Sequence, residues 1–249
     1  MLLEGTHLLQ EVLRQGNAPV EIISTEAWWQ GHPALAERCS QARWRIVTDE
    51  VLRAALTTVT PDGVACLSPL DRLPAVPPEL DFLLVLDRIQ DPGNLGTLLR
   101  TALAADVNAV WMGAGVDPLG TKVLRASAGA LLQLPHQRFG PSEAMAISQL
   151  RQELKQLAAL GVQVVATLVP DSTQASPIPY WDLDWTLPTA LVLGTEGAGL
   201  HPDLQACCTH AVTLPHSARV ESLNVASAAV PLLLERRRAT MTATSQQFG

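Results

Sequence analysis

Short apolar runs alternate with helical stretches along the last two-thirds of the chain, and this pattern constrains the fold more than any other feature. The first run, Phe-Leu-Leu-Val-Leu, contains no polar residue, which is typical of a strand buried on both faces of a parallel sheet. Strands that alternate with helices predict an α/β domain with a parallel sheet. The runs lie at residues 82–86, 109–112, 162–168, 190–193 and 211–214, and the longest helical stretch covers residues 142–160.

A proline-rich segment precedes this region. Residues 68–80 contain four prolines, which remove backbone donors and block helix continuation, so they predict a linker. A second proline-bearing segment, residues 170–188, predicts a surface loop. We therefore expect a small domain over 1–70, a linker over 71–80 and a larger domain over 81–249. The small domain is predicted to be an α/β sandwich, from helical or extended patterns at residues 6–14, 20–23, 34–41, 44–47, 49–56 and 63–67.

The first chemically informative segment follows the run at residues 82–86. An Asp-Pro-Gly turn at residues 91–93 leads to Asn94, at a position where a helix N-cap is expected. Leucines then recur with helical spacing, and Arg100 lies off that apolar stripe. Arg100 should therefore face solvent or a ligand, and for an arbitrary arginine solvent is the commoner case.

A second segment follows the run at residues 190–193. Residues 194–199 read Gly-Thr-Glu-Gly-Ala-Gly, in which glycines allow close backbone approach to a bound molecule and the Glu196 carboxylate can accept hydrogen bonds. The string lacks the spacing and position of a dinucleotide fingerprint, and the chain has no GK[ST] phosphate loop. Alone, this segment is weak support for any ligand.

A third segment follows the run at residues 211–214, where a polar loop leads into a helix of small residues. Ser222 and Asn224 fall at the start of that helix, where side-chain oxygens and unpaired backbone N–H groups face a pocket. Simple helix capping is the alternative for Ser222. His216 beside Ser217 suggests a hydrolase, but no G-x-S-x-G elbow is present.

In this order, the strings DPGNLGTLLRTA, LVLGTEGAGL and SLNVASAA resemble the three motifs of the SpoU/TrmH branch of the SPOUT superfamily, which are RNA ribose 2′-O-methyltransferases. The resemblance covers about residues 80 to 240, and residues 122–130 resemble the family's intervening segment. More loosely, the first seventy residues are similar to the small substrate-binding domain of many ribosomal-RNA members, which resembles a ribosomal RNA-binding α/β fold.

The resemblance implies a deep trefoil knot at the C-terminal end of the parallel-sheet domain, with S-adenosylmethionine bound in the knotted crevice and no metal. It also implies a homodimer, in which the small-residue helix at residues 223–234 packs near the symmetry axis. Backbone groups suit the uncharged edge of adenine. On this model the cofactor is held around Leu193, Gly194, Gly199, Leu214, Ser222 and Leu223.

The same resemblance implies the reacting site. A ribose 2′-oxygen attacks the sulfonium methyl, so the protein's part is positioning and the removal of one proton. Because a guanidinium almost never loses its proton, we expect Arg100 to hold a phosphate or the 2′-oxygen bidentately. Lys122 and Arg125 are the further expected contacts to RNA. The implied catalytic residues are Asn94, Arg100, Glu196, Ser222 and Asn224.

The chain departs from the family pattern in the third motif. His216 and Ala218 stand where a methionine and a glycine are usual, and alanine cannot adopt a positive φ without cost, which predicts a shifted loop and weaker cofactor binding. Because Ser222, Leu223 and Asn224 are retained, we still expect activity. Members usually carry a helix and a basic strand before a Glu-Gly motif, which corresponds here to Glu4-Gly5, so Met1 is expected to be a truncated or late start.

Charge limits how the chain could bind RNA. The formal net charge is −7, which excludes a basic, charge-driven nucleic-acid coat protein. Most of the basic residues are arginines, and several lie in or near the motifs, which favours a focused phosphate-binding patch. Trp28 and Trp29 are predicted to serve hydrophobic packing more than base stacking.

No apolar run is long enough to span a membrane, and the N-terminus lacks the pattern of an export signal, so we expect a cytoplasmic protein. The four cysteines show no C-x-x-C spacing and are predicted to be buried free thiols.

These observations predict an S-adenosylmethionine-dependent RNA 2′-O-ribose methyltransferase. Ribosomal RNA is favoured over transfer RNA, because the extra N-terminal domain accompanies the ribosomal-RNA members. Two alternatives come from other classes. His216 and Ala218 motivate a catalytically silent RNA-binding or assembly factor of the same fold, and the glycine strings motivate a nucleotide-binding oxidoreductase.

Overall fold

The first part of the chain forms a four-stranded sheet with helices between its strands. The computed structural model describes residues 1–168, 177–195, 197–217 and 219–247, with the backbone alone for 244–247. The elements are β1 (Leu2–Glu4), α1 (Thr6–Arg14), β2 (Glu21–Thr25), α2 (Glu26–Gly31), α3 (Pro33–Arg38), β3 (Arg43–Val47), α4 (Asp49–Ala55) and β4 (Val64–Leu67). The sheet order is β1-β4-β2-β3, with β2 and β3 parallel and the other pairs antiparallel.

The remainder forms a seven-stranded sheet in which every described pair of neighbouring strands is parallel. Its elements are β5 (Phe82–Leu86), α5 (Pro92–Ala104), β6 (Ala109–Met112), α6 (Thr121–Ala126), β7 (His136–Arg138), α7 (Glu143–Ala159), β8 (Gln163–Thr167), β9 (Ile178–Pro179), β10 (Thr189–Leu193), α8 (Pro202–Gln205), β11 (His210–Thr213) and α9 (Val225–Gln247). The order is β7-β6-β5-β10-β8-β11-β9. Strands β5 and β10 are buried along their whole length, as expected for a sheet covered on both faces.

The predicted parallel α/β sheet is confirmed, with five strands at the predicted places. The helix predicted at 142–160 is α7, but it is not the longest, because α9 has 23 residues and α7 has 17. The prediction of a surface loop at 170–188 is wrong for residues 177–188, which are the part of this range that the structure describes. Strand β9 pairs with β11, and the Trp185 side chain is buried, with its indole N–H donating to the Tyr180 carbonyl at 2.6 Å. Residues 169–176 lie outside the described residues. The two sheets divide at the proline-rich segment, and the domain bounds 1–70, 71–80 and 81–249 stay a prediction.

Helix α5 begins three residues earlier than predicted. Its N-cap is Asp91, whose carboxylate accepts a hydrogen bond from the Asn94 backbone N–H at 2.7 Å, and Pro92 occupies the first turn. The predicted N-cap role of Asn94 is therefore wrong, because an aspartate followed by proline is the stronger helix start. The Asn94 side chain is instead directed to a different loop.

A buried carboxylate joins the small sheet to the large one. Glu4 ends β1, and its side chain accepts hydrogen bonds from the backbone N–H and hydroxyl groups of both Thr57 and Thr58. Arg125 of α6 completes the set with an ion pair to the same carboxylate. Thr57 also contacts Thr121 at 2.7 Å between hydroxyl oxygens, so two residues of α6 hold the first part of the chain.

Glu4→Gln is expected to lower the free energy of unfolding by about 3 kcal/mol at neutral pH, since it removes one partner of a buried ion pair. Burial alone would raise the pKa of the Glu4 carboxyl, but hydrogen bonds from Thr58 and Thr57 and the charge of Arg125 outweigh it, and the pKa lies below its ordinary value. Because the folded-state pKa is depressed, the Glu4 charge stabilises the folded protein fully at pH values above the ordinary pKa of about 4.3. This stabilisation is lost as the pH falls through the folded-state pKa.

Urea unfolding of the wild type and of Glu4→Gln across this acidic range measures the effect. The difference between the two should shrink toward low pH, whereas Glu37→Gln, which changes an exposed carboxylate, should leave stability unchanged. A wild type–variant difference independent of pH would contradict the assigned role of the charge.

Cys39, Cys66 and Cys207 are buried free thiols, as predicted, and Cys208 is half-buried. Burial raises the pKa of the Cys66 and Cys208 thiols to about 12, so both stay protonated at neutral pH. Among the described residues, no helix has the length and apolar character needed to cross a membrane.

Candidate active site at the carboxyl ends of the parallel strands

Three loops meet where β5, β10 and β11 end, which is where open parallel sheets usually bind ligands. A cavity of about 570 Å³ lies between the loop after β10 and the segment that connects β11 to α9. Its wall includes all six residues predicted to hold a cofactor, namely Leu193, Gly194, Gly199, Leu214, Ser222 and Leu223. The topology therefore brings together residues that lie up to 30 positions apart in the sequence.

The loop after β10 is a tight turn closed by its own backbone. Thr195 and Gly199 exchange two backbone hydrogen bonds, with N···O distances of 3.1 and 3.0 Å. At Gly194, an added Cβ would lie 2.3 Å from the Gly199 carbonyl carbon and oxygen, so only glycine fits there. Glu196, a predicted catalytic residue, lies outside the described residues.

Asn94 and Asn224 join the first motif to the third. The Asn224 side-chain amide donates to the Asn94 side-chain oxygen at 3.0 Å, across 130 residues of sequence. The Asn224 side-chain oxygen accepts from the Ser227 backbone N–H at 3.1 Å, which fixes the start of α9. A smaller cavity of about 230 Å³ includes Asn94 and shares Thr195, Gly197 and Val225 with the larger one. The asparagine pair therefore stands at the edge of the main cavity.

The predicted basic residues lie in different surroundings. Arg100 is exposed on α5, about two turns after Asn94, and lines neither cavity in the described part of the chain. Lys122 is exposed on α6. Arg125, in contrast, is engaged by Glu4, a structural role that the sequence did not predict because the two residues lie 121 positions apart.

His216 stands in the cavity wall, where its ring Nδ1 donates to the Leu214 carbonyl at 2.7 Å. This bond links the His216 side chain to the turn that follows β11. Ala218, the second departure from the family pattern, lies outside the described residues. The predicted loop shift and weaker cofactor binding stay a prediction.

Few ionisable groups border the main cavity. Its described lining is mostly backbone, glycine and apolar side chains, with Glu221 and His216 the ionisable side chains. No group of three or more histidine, cysteine, aspartate or glutamate side chains in the described ranges could hold a metal ion. Such a lining suits a largely uncharged ring system recognised by backbone N–H and C=O groups.

Two residues at the end of β5 contact the loop after β10. Sequence reasoning did not assign either of them to the site. The Asp87 carboxylate accepts from the His201 backbone N–H at 2.9 Å, and Arg88 donates to the Gly199 carbonyl at 3.4 Å. Their position directly after a buried strand was the only available signal.

Comparisons with known proteins bear on this arrangement. A model of the SpoU rRNA Methylase family matches residues 81–233. The chain is 40% identical to an uncharacterized tRNA/rRNA methyltransferase of Synechocystis, over 98% of this chain and 86% of that protein. It is 31% identical to the Bacillus subtilis 23S rRNA (guanosine(2553)-2′-O)-methyltransferase RlmP, over 95% and 88%.

Among solved structures, the SpoU methyltransferase AviRb from Streptomyces viridochromogenes matches with a TM-score of 0.75 and 26% identity, over 98% of this chain and 90% of that chain. The same methyltransferase in complex with the cofactor AdoMet, which is S-adenosylmethionine, matches with a TM-score of 0.75 and 25% identity, over 97% and 91%.

Proposed function

Since the chain belongs to the SpoU rRNA Methylase family, we propose that methyl transfer takes place where the main cavity meets the Asn94–Asn224 pair. The protein is an S-adenosylmethionine-dependent RNA 2′-O-ribose methyltransferase. Ribosomal RNA is its substrate in preference to transfer RNA, in line with relatives that are named as 23S rRNA methyltransferases. The observation that carries the proposal is that the second and third motifs line one cavity, while Asn94 of the first motif is hydrogen-bonded to Asn224 at its edge.

The cavity fits S-adenosylmethionine in size and lining. Its volume of about 570 Å³ lies within the roughly 300–1,000 Å³ common for small-molecule sites. A Cβ at Gly197 or Gly199 would meet no heavy atom within 4 Å, so these glycines leave the wall open to a ligand. The backbone around Leu193, Gly194 and Leu214 would hold the adenosine part, with Ser222 and Leu223 on the opposite wall.

When bound, S-adenosylmethionine supplies a methyl group that a ribose 2′-oxygen takes as the carbon–sulfur bond breaks. The residues of the chain orient the nucleophile. Asn94 and Asn224 fix each other and present amide groups at the cavity edge. Arg100 holds the phosphate or the 2′-oxygen as a bidentate donor, and the hydroxyl proton passes to a phosphate or water. Glu196 and Ser222 complete the site that the family resemblance implies.

RNA contacts are expected at the exposed cations of the large domain. Arg100 and Lys122 are both exposed, and each can pair with a phosphate. Arg125 was also predicted to contact RNA, but its guanidinium is held by Glu4 and Thr57. Arg125 therefore contributes less to RNA binding than Arg100 and Lys122. Focused contacts of this kind suit a protein whose net charge is −7.

The proposal includes the trefoil knot. Described residues between β11 and α9 line the cavity together with the loop after β10, and α9 packs against α5. Arg236 of α9 then donates to Asp81 at the start of β5, at 2.6 Å. This return path supports a C-terminal segment threaded past an earlier loop.

The proposal also includes a homodimer and a cytoplasmic location. Three apolar side chains of α9 are exposed, namely Val230, Leu234 and Met241. Their four- and seven-residue spacing is that of a helix face suited to pack on a second copy. A methyltransferase that acts on ribosomal RNA works where ribosomes are assembled, which supports the cytoplasm.

Calorimetric titration with S-adenosylhomocysteine tests the cofactor assignment, and we expect saturable micromolar binding. The silent-factor alternative predicts RNA binding without heat from this ligand, and the oxidoreductase alternative predicts heat from a dinucleotide instead. Mapping of ribose methyl groups on total RNA, from cells with and without the gene, should show one missing methyl group in ribosomal RNA. An unchanged methylation map would contradict the assigned activity.

A further inference from the structure

The backbone directly after β5 adopts a conformation that is unusual for its residue. Arg88 has φ of +56°, in the left-handed region that glycine and asparagine adopt most easily. Its side chain is only 18% exposed. A large side chain kept in such a conformation commonly marks a functional constraint, because folding alone would favour glycine there.

The strained position directs the Arg88 guanidinium to three separate elements. Its Nε donates to both carboxylate oxygens of Asp87 at 3.2 Å, and one Nη donates to the Gly199 carbonyl at 3.4 Å. The other Nη lies 3.6 Å from the Glu143 carboxylate in the first turn of α7. One side chain therefore links the end of β5, the loop after β10 and α7.

Asp87 supports the same loop at His201, two residues after Gly199. Its carboxylate is 1% exposed and accepts from the His201 backbone N–H at 2.9 Å. Gly199 and His201 flank Leu200, and Gly199 and Leu200 both line the main cavity, so the two bonds hold this wall segment to the end of β5. Within the described part of the turn, the Thr195–Gly199 pairing and a bond from the Ala198 N–H to the Thr195 hydroxyl at 3.3 Å also oppose opening of the wall.

We propose that Asp87 and Arg88 form a clamp of positioning residues that holds the wall of the cofactor cavity closed; this inference rests on the proposed function. The clamp contacts neither the cofactor nor the reacting atoms. It sets the position of residues 199–201, and through them the width of the cavity in which the cofactor is bound. Its loss should weaken cofactor binding more than it slows the bound enzyme.

Arg88→Gly is the sharpest test, because glycine adopts the observed φ without strain while the guanidinium is removed. We expect the melting temperature to fall by several degrees, because the buried Asp87 carboxylate loses its cation, with the variant still folded at the temperature of the assay. Affinity for S-adenosylhomocysteine should fall at least about tenfold, the loss expected for one charged hydrogen bond. The KM for S-adenosylmethionine should rise by a similar factor, with a smaller change in kcat. Arg88→Lys should recover part of the affinity, since it keeps the charge beside Asp87.

Arg138→Ala is the matched control. Arg138 also pairs with a carboxylate and a glycine carbonyl, at 3.4 Å to Asp117 and 3.0 Å to Gly115, but it does not line or support the described cavity wall. Its replacement should leave cofactor affinity unchanged. Equal affinity of Arg88→Gly and the wild type would overturn the clamp, as would equal losses in the two variants.

Hydrogen exchange at the His201 amide separates this inference from the proposed function. The clamp predicts faster exchange at residues 199–201 in Arg88→Gly than in the wild type or Arg138→Ala, without any ligand. A wild type that fails to bind S-adenosylhomocysteine would refute the cofactor assignment, while the exchange rates would still decide whether the clamp exists. Unchanged exchange in Arg88→Gly would refute the clamp.

Discussion

Gly194→Ala is expected to abolish measurable binding of S-adenosylhomocysteine. The added Cβ would lie 2.3 Å from the Gly199 carbonyl carbon and oxygen and 2.4 Å from the Leu200 nitrogen. These are backbone atoms, so no side-chain rotation can relieve the overlap. The turn after β10 must therefore move as a unit, and Thr195, Gly199 and Leu200 all line the cavity. Isothermal titration calorimetry of the folded variant measures the loss.

Gly31→Ala provides the control outside the site. A Cβ at Gly31 would meet no heavy atom within 4 Å, and Gly31 lines neither cavity of the site, so the same chemical change leaves the backbone and the binding site where they are. We expect this variant to bind within a few-fold of the wild type. Near-normal binding by Gly194→Ala, with circular dichroism showing a native fold, would mean that the turn does not shape the binding site.

Arg100→Ala is expected to lower kcat for RNA methylation by about 100-fold, the scale of loss when a positioned reactant loses its alignment. Arg100 is exposed and lines neither described cavity, so affinity for S-adenosylhomocysteine should be unchanged. A lower kcat with unchanged cofactor affinity identifies a residue that acts on the RNA. Single-turnover methylation of ribosomal RNA at saturating cofactor measures the rate.

Arg100→Lys distinguishes two kinds of contact. If the guanidinium holds a phosphate or the 2′-oxygen through two parallel hydrogen bonds, lysine cannot replace it and the rate stays low. Near-normal turnover of Arg100→Lys would instead indicate that a simple positive charge suffices. Arg151→Ala, which removes an exposed arginine of α7, should behave as the wild type in both assays.

Local patterns predicted most of the regular structure. The apolar stripe at 6–14 matches α1 residue for residue, and the all-apolar run at 82–86 matches β5. Strand β1 was missed because its three residues are held in place by pairing with β4, more than sixty residues away. The start of α5 was misplaced because Asp91 and Asn94 are both capable N-caps, and the choice depended on Pro92 between them.

The candidate site could be predicted as a set of loops, because parallel strands place their carboxyl ends along one edge of the sheet. The contacts between those loops could not. The Asn94–Asn224 and Arg88–Gly199 bonds join residues more than 100 positions apart, and no local spacing encodes them. The Glu4–Arg125 pair is of the same kind, and it changed the role assigned to Arg125.

The Glu4 carboxylate has a consequence for how a large substrate is chosen. With Thr57 and Thr58 on one side and Arg125 on the other, it ties the end of β1 to α6 of the large domain. An RNA that contacted both the small sheet and the large domain would have to fit the distance between them. Selection of the methylated nucleotide would then depend on the three-dimensional shape of the RNA as much as on its base sequence.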